Sequence, residues 1–305
     1  MSSPSDTSSR ATVLSPGVRS MLWSALAFSV MSAMVKLAGS RIPSPEIAIF
    51  RGAITLVLSG IALRRAGLSP WGKDTRWLLV RGLLGCVGLH CYYYALTSLP
   101  LAEATVIQFL NPVLVAALAP FTLGEKPGPR DVLGTLAGFA GVLLIARPAT
   151  LFGGGQADVA LSSTGVLVGL FGALVSALVY LVVRKLKDED ARVVVFQLPL
   201  LVIPLTLPLA WPVWTWPTPL EWLVLLGVGV ATQIGQVKMT EALQQETAAR
   251  ATAVSFAQVA FAMAFSVVLF REIPTLTTWC GAALVFVGTL LVARTPTKPA
   301  RDSTG

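Results

Sequence analysis

Apolar residues in this chain come in long unbroken runs separated by short polar breaks. Ten runs stand out, at 19–38, 46–63, 78–98, 102–121, 129–147, 164–183, 193–211, 220–242, 248–270 and 276–293. A helix needs about 20 mostly apolar residues to cross the hydrocarbon of a bilayer, and the runs have about that length, the fifth and tenth being among the less generous. They are continuously apolar rather than alternating, which excludes barrel strands. Helix is the state in which such a segment satisfies its own backbone in lipid. The pattern therefore predicts an all-α integral membrane protein of ten transmembrane helices.

The runs also repeat. Setting Ala102–Arg147 over Ala249–Arg294, at a spacing of 147 residues, pairs identical residues at fourteen of forty-six positions without a gap. Among them are Thr105 with Thr252, Phe109 with Phe256, Glu125 with Glu272, Gly134 with Gly281 and Gly141 with Gly288. The same spacing reaches back to Gly82 with Gly229 and Gly88 with Gly235, and a shifted register matches Ser32-Ala33 to Ser176-Ala177 and Phe50 to Phe196. One unit of five spans is used twice. The predicted organisation is a disordered N-terminal tail over 1–17, a first repeat over 18–148, a linker loop over 149–163, a second repeat over 164–294 and a C-terminal tail over 295–305. An odd number of spans per unit inserts the second copy the opposite way up. Two inverted five-helix repeats enclosing a site near the midplane are a recurring device of secondary transporters.

Composition agrees with this: 54% of the residues are hydrophobic, 12% are charged and the mean hydropathy is +0.74. The net charge of +8 raises the question of nucleic acid, and the location of the charges answers it. Alternating sides along the ten spans puts sixteen Lys and Arg on the side of the N-terminus and only Arg41, Arg147 and Arg271 on the other. That is the positive-inside bias of a membrane protein. Both termini are expected in the cytoplasm of an inner-membrane protein, with Gly154 outside and Asp188 inside, and no nucleic-acid partner is expected. Cys86, Cys91 and Cys280 fall within spans and read as small buried residues without disulfide or metal spacing. Glycine triplets at Gly82/Gly85/Gly88, Gly134/Gly138/Gly141 and Gly165/Gly169/Gly172 mark faces where helices approach closely.

Several motifs resemble a known family. Leu99-Pro-Leu-Ala-Glu-Ala-Thr-Val-Ile107, Asn111-Pro112, Gly124-Glu125 and the ending Gly141–Pro148 are similar to the EamA domain of the drug/metabolite transporter superfamily. Ala251-Thr252, Glu272, Gly281 and Gly288 repeat a weaker second copy. Pro45-Glu46, Phe50-Arg51 and Arg81-Gly82 resemble more specifically the solute carrier family 35, subgroup G. The resemblance implies a ten-helix transporter with two five-helix repeats around a central cavity. Such motifs specify fold well and substrate poorly.

Polar residues within spans are the candidate site, because an ionisable group in hydrocarbon costs about 2.5–3.5 kcal/mol unless it faces a cavity or a partner. Lys36, Arg51, Arg81 and Lys238 are the basic ones; Glu46, Glu103 and Glu241 are the acidic ones near them, with Glu221 at a span entrance. For Lys36 and Arg51, snorkelling to the interface and cavity lining are both open. Arg81 stands between an interfacial place and a functional one. Lys238 and Glu241, three apart, share a helical face, and read as an internal ion pair or as part of a pocket. Gln233 and Gln236 add a polar pair beside them. The equivalent stretch of span three is Cys91-Tyr-Tyr-Tyr94, so polar residues in one half answer aromatic ones in the other. That asymmetry suits an amphipathic organic solute, with Tyr93 and Tyr94 toward it and Tyr92 nearer the lipid. Span four adds Gln108 and Asn111-Pro112, where proline predicts a kink, and span nine adds Ser255 and Gln258 without proline. A static kink competes with a binding role there. Glu125 and Glu272 read as stabilisers of the N-terminal end of the helix that follows each.

Catalysis has no footing: His90 is the only His and there is no Walker sequence. No catalytic residue, cofactor or metal site is expected. The chain reads as a secondary transporter of a small organic metabolite working by alternating access, with export favoured. Its partners are then that solute and the lipid bilayer, and a homodimer is allowed. A membrane-bound acyl- or group-transfer enzyme and a membrane receptor or scaffold are the competing classes.

Overall fold

The computed structural model describes residues 14–38, 41–99, 101–146, 151, 162–270 and 275–294. Most of the expected tails and linker, with Gly154, Arg147, Arg271 and Glu272, lie outside the described residues, as does the side chain of Glu103. The structure is all-helical: α1 (Pro16–Ala38), α2 (Ser44–Arg65), α3 (Thr75–Ser98), α4 (Leu101–Gln108), α5 (Asn111–Thr122) and α6 (Pro129–Ala146). Then follow α7 (Ser163–Lys185), α8 (Ala191–Ala210), α9 (Pro219–Gln245), α10 (Ala248–Ser255), α11 (Ala257–Phe270) and α12 (Leu276–Ala293). Two helix starts fall inside the expected boundary segments. The expected tail over 1–17 overlaps α1, which starts at Pro16, and the expected linker overlaps α7, which starts at Ser163.

Local sequence sets the helix boundaries. Asp74, Ser162, Asp190 and Thr275 each accept a backbone N–H of the following first turn, supplying a partner that the helix itself lacks there. Thr218 and Glu221 form a reciprocal capping box at the start of α9. Gly67, at φ 64°, ends α2, with the Leu68 N–H donating back to the Leu63 carbonyl at 3.0 Å.

Taking α4 with α5 and α10 with α11 as single passes gives ten passes. Nine stretches among the described residues are long and apolar enough to cross a membrane. The remaining pass, α3, is long enough at 24 residues but carries Arg76, Arg81, His90 and three tyrosines. Outward-facing side chains such as Val57, Phe121, Leu167 and Phe171 make the bundle's exterior apolar, as lipid requires. Cys280 belongs to that exterior and Cys91 is half-buried, so only Cys86 fits the buried role expected of all three.

Packing follows the duplication. α1 packs on α9 as α3 packs on α7, and these two pairs exchange under the repeat; α2 on α8 and α6 on α12 are pairs of equivalents. Glycine carries the close approaches. A Cβ at Gly141 would lie 2.6 Å from the Gly281 carbonyl oxygen, and one at Gly288 would lie 2.7 Å from the Gly134 carbonyl oxygen.

The two ends of the bundle differ. The end where α1 begins, here called the basic end, carries Arg64, Arg65, Lys73, Arg76, Lys126, Arg130, Arg184, Lys185 and Lys187. The largest buried cluster lies there and draws Val18, Leu63, Leu78, Val183, Val194, Leu243, Val254 and Val292 from eight helices. Away from the basic end the buried residues fall into separate clusters: Ala38, Ile42, Ile47, Leu225 and Val228; Ala95, Leu99 and Ala104; and Val142, Phe256, Val259 and Val285. A polar latch reinforces the basic end. Glu125 pairs with Arg184 at 2.6 Å and accepts the N–H of Ala248 at 2.8 Å. Glu125 thus meets a helix N-terminus as expected, but that of α10 in the other half rather than of the next helix. Arg184 goes on to donate to the Gln244 carbonyl at 2.6 Å.

Candidate functional site

Two of the ten passes are broken midway. The fourth runs as α4 to Gln108 and resumes as α5 at Asn111; the ninth runs as α10 to Ser255 and resumes as α11 at Ala257. Pro112 has no backbone N–H and fits the start of a helix, which accounts for the first break. No proline marks the second. The two breaks fall at equivalent positions and meet: the rings of Phe109 and Phe256 stack with centroids 6.0 Å apart.

Around the breaks lie two adjoining chambers of about 220 and 200 Å³ that share Phe28, Tyr92, Gln108, Tyr180 and Met239. The first is lined by Gln108 and Asn111 from one break and their equivalents Ser255 and Gln258 from the other, with Ser24, Ser32 and Met31. Arg51, Arg81, Ser176 and Gln236 line the second. Asn111 and Tyr180, from different halves, both line the first chamber. Ser29 donates to the carbonyl of Gln258 at 2.9 Å, tying α1 to the second break. Half-buried polar groups on apolar walls, in volumes of this order, suit a small metabolite.

The sequence matches the model of the EamA-like transporter family over residues 15–147 and again over 163–294. The chain belongs to the EamA-like transporter family. It is therefore a multi-pass membrane transporter of small solutes built from two duplicated halves, and not an enzyme. It is 30% identical over 286 residues to the pseudopaline exporter CntI of Pseudomonas aeruginosa, covering 93% of this chain and 98% of that one. It is 33% identical over 275 residues to human solute carrier family 35 member G1, covering 87% and 75%. The riboflavin transporter of Vibrio cholerae is 27% identical over 288 residues, covering 92% and 94%. A solved crystal structure superposes with a TM-score of 0.73 at 22% identity, over 88% of this chain and 95% of that one, which shows the shared fold.

In this EamA transporter the chambers gather seven of the residues expected from sequence: Arg51, Arg81, Gln108, Asn111, Gln236, Ser255 and Gln258. Five others stand elsewhere. Gln233 accepts a hydrogen bond from Ser59 at 3.0 Å on the α2 side of α9. Lys238 and Glu241 form an ion pair at 2.8 Å, but their side chains are 40% and 28% exposed and line neither chamber, and Glu241 also accepts from Ser20. A shared helical face brought them together without turning that face inward.

The tyrosines are reversed. Tyr92 lines both chambers, whereas Tyr94 is 44% exposed and Tyr93 lines neither. The reason is helical phase. Arg81, Gly85, Gly88 and Tyr92 follow one another at spacings of four, three and four residues on one face of α3, and all line the second chamber. Extending that phase from Arg81 would have selected Tyr92. Tyr180 was also missed, and its signal is the register that matches Ser176 to Ser32 and places Tyr180 one turn further along α7. His90 is accounted for within the helix packing, its Nδ1 lying 2.9 Å from the Cys86 carbonyl oxygen and its Nε2 3.3 Å from the Thr206 hydroxyl.

Proposed function

We propose that this EamA transporter is a secondary carrier that exports a small organic metabolite across the inner membrane by alternating access between two inverted five-helix halves. The observation that carries this reading is the chamber at the paired helix breaks, lined by Gln108 and Asn111 and by their repeat equivalents Ser255 and Gln258. Discontinuous helices at the interface of two repeats are where such carriers hold their solutes. The state described is closed at the basic end, where one buried cluster joins eight helices, and divided into separate clusters away from it. With the basic end in the cytoplasm, by the positive-inside rule, this is an outward-facing arrangement. Riboflavin and pseudopaline are candidate solutes by likeness to the relatives, and export follows the exporter among them.

Labelling tests the architecture. In a cysteine-free background, Asp188→Cys should react only from the cytoplasm and Thr218→Cys only from outside; reaction of both from one face would overturn the inverted arrangement. Transport is tested in proteoliposomes. Saturable, protein-dependent movement of one of the two candidate solutes, pseudopaline or riboflavin, reduced in Asn111→Ala and in Gln258→Ala, is the expected result. Movement unchanged in both variants would remove the break from the solute's path.

A further inference from the structure

Arg81 is 1% exposed, and its guanidinium has one recorded hydrogen bond, from Nη2 to the Gln236 side-chain oxygen at 3.1 Å. Its Nε and Nη1 are buried with no acceptor among the described residues. A guanidinium keeps its charge under all ordinary conditions, and a buried charge is costly unless a counter-charge or hydrogen bonds offset it. Arg81 lines the second chamber, and so does Arg51, whose Nη1 touches the thioether sulfur of Met31 at 3.9 Å. Among the described residues, no Asp or Glu lines either chamber. Ser176, Tyr92, Tyr180, Gln108 and Gln236 complete the second chamber's polar lining, and all are uncharged. The protein has thus built a cationic cavity without supplying its anion.

We propose that the second chamber is an anion subsite, in which Arg81 binds a carboxylate of the transported solute and Arg51 draws a second anionic group on the same molecule. This rests on the transporter reading and narrows the solute to a carboxylate-bearing one. Guanidinium is suited to the task because its planar array of donors fits carboxylate geometry. Gln236 fixes the array by holding Nη2, which leaves Nε and Nη1 for the ligand. Ligand entry would then supply hydrogen bonds that the empty site lacks, so the anion is bound where it relieves a cost already present in the fold.

The test uses the whole protein in phosphatidylcholine nanodiscs, followed by thermal unfolding. The probes are succinate, glutarate and adipate, each against its uncharged diamide, with 1,4-diaminobutane as the cationic control. At least one dicarboxylate should raise Tm saturably while its diamide and the diamine do not. Arg81→Gln should raise the half-saturating concentration about ten- to a hundredfold, the range for losing a charged hydrogen-bond partner, and Arg51→Gln by a smaller factor. Ligand-free Arg81→Gln should unfold at or above the wild-type Tm, since an unpaired buried charge has gone; a merely structural arginine would destabilise on removal. An Arg81→Gln variant that fails to fold would refute the stability expectation and mark Arg81 as structural; Arg81→Lys, which keeps the charge but loses the planar donors, then tests binding alone and should respond more weakly than wild type. No response to any dicarboxylate, equal responses to the diamides, or a wild-type response in both Arg81 variants would overturn the proposal. So would stabilisation by added phosphatidylglycerol alone, which would assign the chamber to a lipid headgroup. Transport of uncharged riboflavin by a protein blind to all three dicarboxylates would sink the anion subsite while leaving the transporter reading intact.

Discussion

The crossing of α6 and α12 offers the sharpest quantitative test of how this fold is held together. An alanine at Gly141 would place its methyl 2.6 Å from the Gly281 carbonyl oxygen and 2.9 Å from the Val285 nitrogen. Both are backbone atoms, so no rotamer change can relieve the clash. Going from 2.6 Å to the 3.4 Å at which ordinary contact begins, the helices must separate by about 0.8 Å. Overpacking of this kind costs about 1–3 kcal/mol. Alanine returns up to about 1 kcal/mol through its better helix propensity. With the full propensity gain returned, the expected net loss for Gly141→Ala is about 0–2 kcal/mol, against a net gain for a glycine with open space beside it.

Gly60→Ala on α2 is the control, because the nearest atom to its methyl would be Phe196 Cε2 at 3.8 Å. It gains the propensity term without the clash and should be neutral or stabilising by up to about 1 kcal/mol. Unfolding in mild detergent, followed by the fluorescence of the eight tryptophans, measures both. The repeat adds a further condition: Gly288→Ala, equivalent to Gly141→Ala and facing the Gly134 carbonyl, should lose a similar amount. Gly141→Ala combined with Gly281→Ala should cost less than the sum of the two, since the first methyl already parts the helices. If Gly141→Ala raised Tm as much as Gly60→Ala does, the glycine crossing would not be a packing constraint and the reasoning would fail.

Glu125→Ala should cost about 1.5–3 kcal/mol, the range for hydrogen bonds to a charged group, since it strips the partner from Arg184 and from the first N–H of α10. Arg184→Ala should cost a similar amount, because it loses the Gln244 carbonyl along with Glu125; an unfolding midpoint unchanged from wild type in either variant would contradict the latch. Lys238→Met and Glu241→Gln should each change stability by less than about 1 kcal/mol, as expected of a half-exposed pair, and losses above about 3 kcal/mol would return the pair to the interior. Tyr92→Ala should slow solute uptake into proteoliposomes and Tyr94→Ala should not, because only Tyr92 lines the chambers; equal rates in the two variants would take the aromatic wall out of the site.

Much of the architecture is written in spacings that a single sequence reveals. Length and apolar content mark nine of the helical passes outright, and the 147-residue offset picks out the four glycines of the α6–α12 crossing, which meet as Gly141 with Gly281 and Gly134 with Gly288. Small residues are readable because lipid offers no hydrophobic drive between helices, so close packing must be encoded in side-chain size. Rotation about a helix axis is harder to read. Consecutive tyrosines at 92, 93 and 94 differ by about 100° each, and only the position of neighbouring helices decides which one faces the cavity. The same difficulty misplaced Lys238 and Glu241, which share a face with each other but not with Gln236 and Met239.

The break in the ninth pass explains why chemistry was less legible than scaffold. In the fourth pass proline announces the interruption; in the ninth, Val259 stands where the repeat has Pro112, yet the helix still stops at Ser255. The opposed break and the ring of Phe109 stacked on Phe256 supply a tertiary cause that local propensity lacks. Packing positions such as Gly134, Gly141, Gly281 and Gly288 must match in both halves, because each half forms the surface on which the other closes. Chamber positions are released from that demand. Arg81 faces its repeat equivalent Val228 only in the alignment, since the one lines the chamber and the other is buried beside Leu225 at the opposite end. On the proposed reading, a duplicated scaffold with an unduplicated charge lets a symmetric machine hold an asymmetric solute, and it is at such departures from the repeat that mutagenesis of this transporter should begin.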